Sequence, residues 1–129
     1  MEELKKKYQY ARKAWDTLNE VLKEDFSSVV RDAAIQRFEY TFETTWKVLK
    51  VYLKEREGII ANSPKSVFRE ALSVGILDAN HTELALEMTD DRNLTSHTYL
   101  EQVAQQIFEK LPAYRDLMNQ LLMQIDALR

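Results

Sequence analysis

The chain has 129 residues, a formal net charge of −3, no cysteine, and only two glycines and two prolines. Average proteins draw roughly 12% of their residues from Gly and Pro, so the shortage excludes turn-rich all-β folds and any glycine-loop nucleotide site. The acidic balance excludes a broadly basic surface, so any contact with nucleic acid must rest on a local patch or on a surface made by two chains.

From the N-terminus, Leu4, Tyr8, Ala11, Trp15, Leu18 and Leu22 recur every three or four residues, which predicts a helix over 2–23 with one apolar face. Ser27 or Ser28 can cap a second helix over 28–56. Its stripe is Ile35, Phe38, Phe42, Trp46, Leu49 and Leu53, and Gly58 suits its C-terminal end. Ser63-Pro64 reads as an N-cap followed by Pro at the first helical position, opening a short helix with Val67, Phe68 and Ala71 that closes near Gly75. Asn80 with Glu83 resembles a capping box for a fourth, short helix, expected to fail near Asp90-Asp91. Thr98 with Glu101 resembles another, opening a last helix over 98–127. There Pro112 should bend the helix without ending it, because the stripe Val103, Ile107, Leu111, Tyr114, Met118, Leu121 and Ile125 continues in phase.

Three long helices and two short ones sum to an all-α, four-helix-bundle-like protein, expected to be one domain across 1–129. Hydrophobic residues at 45% and charged residues at 30% fit a globular chain and not a disordered one. No apolar run approaches the ~18 residues of a membrane span. The opening MEELKKKYQYARKAW has no signal-peptide apolar core, and with cysteine absent the expected location is cytoplasmic.

Most chemically capable residues read as ordinary structure. Asp90-Asp91 lacks the Asp-x-Asp spacing of a nucleotidyltransferase and reads as a solvated pair at a helix end. His81 reads as a surface residue beside a helix start, and Trp15 and Trp46 as core. Lys5-Lys6-Lys7 reads as a solvated face that could touch phosphate. Two histidines without cysteine argue against a zinc site, and no metal is assigned.

The segment Asp91-Arg92-Asn93-Leu94-Thr95-Ser96-His97-Thr98-Tyr99 is the exception. On one continuous helix Arg92 and His97 would face about 140° apart. A break between them, favoured by Asn93, Thr95, Ser96 and a Thr98 cap, would let them converge, with His97 just outside a helix N-terminus that suits an anion. Histidine can move a proton and arginine can hold a phosphate, a pairing suited to RNA cleavage by a 2′-hydroxyl without a metal. On chemistry alone the ordinary reading of the same residues is that they cap helices and join them by hydrogen bonds.

Arg92-x4-His97-x-Tyr99 resembles the Arg-x4-His-x-Tyr motif of HEPN-domain proteins, in the branch called nucleotidyltransferase substrate-binding proteins. Arg37-Phe-Glu-Tyr-Thr-Phe-Glu-Thr-Thr-Trp-Lys47 resembles that family's second helix, and Ser63-Pro64 with Phe68-Arg69-Glu70-Ala71 the start of its third. The resemblance spans about residues 4–125. It implies an antiparallel four-helix up-and-down bundle with an additional short helix, assembled as a homodimer. It also implies a minimal nucleotidyltransferase, encoded nearby, as partner and antitoxin. Members that act as toxins are ribonucleases needing neither metal nor other cofactor. Carried over, Arg92 would stabilise the phosphate of an RNA substrate, His97 would transfer protons, and Tyr99 would receive AMP from the partner. Asp91 and Asn93 would support the loop, with Thr98 capping the last helix. The alternative is a non-catalytic subunit that presents substrate to, or regulates, the nucleotidyltransferase. Where the family often carries an acidic residue after the tyrosine, this chain has Leu100.

Overall fold

The computed structural model describes residues 2–129. Among them the secondary structure is entirely helical: α1 (Glu2–Val21), α2 (Ser28–Glu57), α3 (Pro64–Ser73), α4 (Ala79–Leu94), a 3-10 turn (Thr95–His97) and α5 (Glu101–Leu128). None of these helices is long and apolar enough to cross a membrane.

Local chemistry explains most helix ends. Ser27 is extended and its side chain accepts from the Val30 N–H, capping α2. Gly58, at φ +68°, turns the chain out of α2 in the left-handed conformation that costs glycine least. Ser63 and Ser66 form a reciprocal capping box at α3, with Pro64 in its first turn.

The stripes meet in one core. Phe38, Phe42 and Leu49 from α2 are fully buried, as are Leu4 and Leu18 from α1, Phe68 from α3, Met88 from α4, and Ile107, Leu111 and Tyr114 from α5. Phe38 stacks on Tyr114 at 5.6 Å, and Phe42 meets Phe68 at 6.2 Å. Trp46 is buried, whereas Trp15 is half-buried and its indole N–H donates to the Arg115 carbonyl at 2.8 Å, tying α1 to α5. Pro112 lies inside α5 on its exposed side, while the buried stripe runs on to Ile125.

Three expectations are corrected. Asp78, not Asn80, caps α4: its carboxylate accepts from the His81 N–H at 2.7 Å and lies 2.9 Å from the His81 ring. That backbone N–H, followed by the ring, holds the Asp78 carboxyl below its ordinary range. His81 therefore belongs to the cap. Next, α4 runs through Asp90-Asp91 to Leu94. Two carboxylates near a helix C-terminus oppose its dipole, but each has a cation from another helix. Lys65 of α3 lies 2.6 Å from Asp90, and Lys110 of α5 lies 3.0 Å from Asp91. Finally, Thr98 does not cap α5; it closes the 3-10 turn before it. Its backbone is helical, its hydroxyl donates back to the Thr95 carbonyl at 3.1 Å, and α5 starts three residues later behind Leu100.

Candidate functional site

The motif residues occupy the junction between α4 and α5. Arg92 lies in the last turn of α4, where a cation complements the helix dipole. The α-helix tightens into a 3-10 turn at Thr95, stabilised by the Thr95 hydroxyl donating to the Arg92 carbonyl at 2.7 Å. His97 ends that turn, and its carbonyl accepts from the Leu100 N–H at 3.0 Å. The change of helix type does fall between Arg92 and His97, as a tightening and not a break. Nor does His97 sit at the N-terminus of α5, because that helix starts only at Glu101. The expected anion site on free helix N–H groups is therefore not formed around His97.

Arg92 is about one-third exposed, and its Nη2 lies 3.2 Å from Oε1 of Glu43 on α2. The other carboxylate oxygen of Glu43 lies 3.4 Å from Lys47. Nε of Arg92 is buried without a hydrogen-bond partner. Nη1 engages no protein acceptor among the described residues, so the partly exposed guanidinium keeps an unpaired donor for an oxyanion. His97 and Tyr99 are both exposed, with ring centroids 6.1 Å apart, and Tyr99 is 78% exposed. No hydrogen bond or ring contact joins Arg92 to His97. Asn93 is exposed and its carbonyl accepts from Ser96, while Thr98 holds the turn as described.

Asp91 is not the solvated residue its sequence suggests. It is 6% exposed, and its Oδ2 accepts from both the Tyr114 hydroxyl and Lys110. Tyr114 also lies 3.2 Å from Glu87. Burial first, then the Asp91 carboxylate, push the Tyr114 phenol far above its ordinary range, so it is a permanent donor. This buried cluster locks the residue before Arg92 onto α5. A second clamp holds the far side of the loop. Nearly buried Arg31 of α2 lies 2.5 Å from Glu101 in the first turn of α5, holding that carboxyl below its ordinary range. Sequence reasoning missed Tyr114, filed with the apolar stripe, and Lys110. It also missed Glu43 as a functional residue, although Glu43 lies within the second-helix segment that carried the resemblance.

The family model for nucleotidyltransferase substrate binding protein-like chains matches residues 6–127. The chain belongs to that family. A Haemophilus influenzae protein described as a probable ribonuclease HepT is 33% identical over 92 residues, covering 65% of this chain and 62% of that protein's length. A crystal structure of a Thermus thermophilus protein is 54% identical, with a TM-score of 0.86, over 89% of this chain and 98% of that one. Another Haemophilus influenzae structure is described as revealing the fold of a substrate binding domain of a nucleotidyltransferase. It shares the all-helical fold at a TM-score of 0.69, with 23% identity over 97% of this chain and 98% of that one.

Proposed function

We propose that the chain is a metal-independent ribonuclease acting as a homodimer, and that a minimal nucleotidyltransferase restrains it by attaching AMP to Tyr99. The observation that carries this reading is the grouping of exposed His97 beside exposed Tyr99, just beyond a one-third exposed Arg92 whose Nη1 has no protein acceptor among the described residues. The similarity to a probable ribonuclease supports it.

In this mechanism Arg92 binds the non-bridging oxygens of the scissile phosphate and stabilises the charge that builds there. His97 removes the proton from the neighbouring 2′-hydroxyl. The 2′-oxygen bonds to phosphorus, the bond to the 5′-oxygen breaks, and that oxygen takes its proton from water while the proton held by His97 returns to solvent. The products carry a 2′,3′-cyclic phosphate and a 5′-hydroxyl. In the restraining reaction the Tyr99 oxygen attacks the α-phosphorus of ATP, loses its proton and displaces pyrophosphate. The adduct would crowd the His97 ring and place negative charge where the RNA phosphate must enter.

A second reading is favoured by the family's description: a non-catalytic subunit that presents substrate to the nucleotidyltransferase. The two differ on whether His97 is chemically required. Growth of the native host separates them, with the wild-type chain and His97→Ala each expressed without the nucleotidyltransferase at equal soluble levels. The ribonuclease reading predicts arrest by the wild type alone. Equal growth would favour the second reading.

A further inference from the structure

Lys47, Lys50 and Lys54 recur at helical spacing along one face of α2. With Lys7 of α1 they line a groove of about 320 Å³ whose lining includes one carboxylate, that of Glu3. A chain of net charge −3 thus concentrates four ammonium groups in one place. Lys47 pairs with Glu43, but Lys7, Lys50 and Lys54 have no ion-pair partner among the described residues. The Lys50 ammonium lies over the Trp46 ring, 5.9 Å from its centroid. Other lining residues are apolar: Trp46, Val51, Ala61 and Ile60, the last 73% exposed. Cations beside apolar side chains match a nucleotide, which offers a charged phosphate and a flat apolar base face.

The groove is also linked to the motif through Glu43, which lies outside its lining. One oxygen of Glu43 holds Arg92 and the other holds Lys47, so the lysine row begins one carboxylate away from Arg92. From Lys47 to Lys54 the helix advances about 10 Å.

We infer that this groove is a binding track for single-stranded RNA, in which Lys47, Lys50, Lys54 and Lys7 hold the phosphates of the strand that continues beyond Arg92. The inference rests on the proposed ribonuclease reading for its substrate, and it supplies the local patch that the acidic composition demands.

Binding tests it independently of cleavage. A fluorescein-labelled single-stranded RNA of roughly twelve nucleotides is titrated into full-length His97→Ala, and anisotropy is read over a range of salt concentrations. The comparisons are the same chain with Lys50→Glu and Lys54→Glu, and with the exposed control pair Lys13→Glu and Lys23→Glu. Losing two phosphate contacts should weaken binding at least about tenfold and flatten the logarithmic salt slope by about 1.4, given about 0.7 per contact on a single strand. Lys50→Gln with Lys54→Gln, which adds no repulsion, should show the same flattening, and circular dichroism checks that every variant is folded. Equal affinity in the groove and control pairs would overturn the track. So would displacement of the RNA by ATP alone at equal nucleotide concentration, which would make the groove a mononucleotide site. Groove-dependent binding by a wild-type chain that cleaves no RNA would uphold the track and count against the ribonuclease reading.

Discussion

Replacing Tyr114 with Phe removes one oxygen from the interior and leaves the ring in place. The ring is fully buried and stacked on Phe38 at 5.6 Å, so the substitution opens almost no cavity. What is lost is the hydroxyl that donates to the nearly buried Asp91 carboxylate. A hydrogen bond to a charged partner contributes about 1.5–3 kcal/mol. Lys110 still reaches Asp91 at 3.0 Å, so the carboxylate is not orphaned and the loss should fall in the lower half of that range. For a chain of this size about 2 kcal/mol corresponds to a fall in Tm of roughly 6–12 °C. Urea unfolding followed by circular dichroism measures the free energy directly. Asp91→Asn, alone and combined with Tyr114→Phe, completes a double-mutant cycle whose coupling should exceed about 1 kcal/mol. A Tyr114→Phe change within about 0.5 kcal/mol of wild type, or additive single effects, would refute the claim that this pair fastens α4 to α5.

Other predictions address the surroundings of the motif. Glu43→Ala should slow RNA cleavage by releasing Arg92, yet shift stability by under about 1 kcal/mol because the pair is partly exposed; unchanged cleavage would remove Glu43 from the positioning of Arg92. Glu101 is held below its ordinary range by Arg31, so its contribution to stability is complete above the unfolded carboxyl's pKa and fades as pH falls through the lower folded value. Glu101→Gln should therefore flatten the acid limb of a stability–pH curve, and an unaltered limb would contradict this. Tyr99→Phe should keep cleaving RNA but gain no AMP mass when incubated with the nucleotidyltransferase and ATP; an adduct on that variant would place the modification elsewhere.

How far the sequence spoke depended on the range of the interactions. The stripes of α1, α2 and α5, the Ser63 cap and the turn at Gly58 are set by residues within a few positions of one another and are legible, and the α2 cap is narrowed to Ser27 or Ser28, of which Ser27 serves. The end of α4 was not. Asp90-Asp91 looks like a stop until Lys65 and Lys110 arrive from α3 and α5 to match the charges. Thr98 looked like a cap because its spacing to Glu101 was right. Its hydroxyl instead serves the 3-10 turn behind it, and Arg31 takes the Glu101 carboxylate. The motif residues could be named from their pattern, whereas the groups that hold them could not. Glu43, Tyr114 and Lys110 come from other helices, and only folding brings them to Arg92 and Asp91.

In the proposed function His97 performs chemistry on RNA without a metal. The most direct test is cleavage of single-stranded RNA by the purified chain in excess chelator, compared with His97→Ala at equal concentration, with product ends read by mass spectrometry. The expected result is 2′,3′-cyclic phosphate ends from the wild type and a rate lower by about 10²–10⁴ in the variant. Equal rates from the two proteins, or cleavage abolished by the chelator, would contradict it.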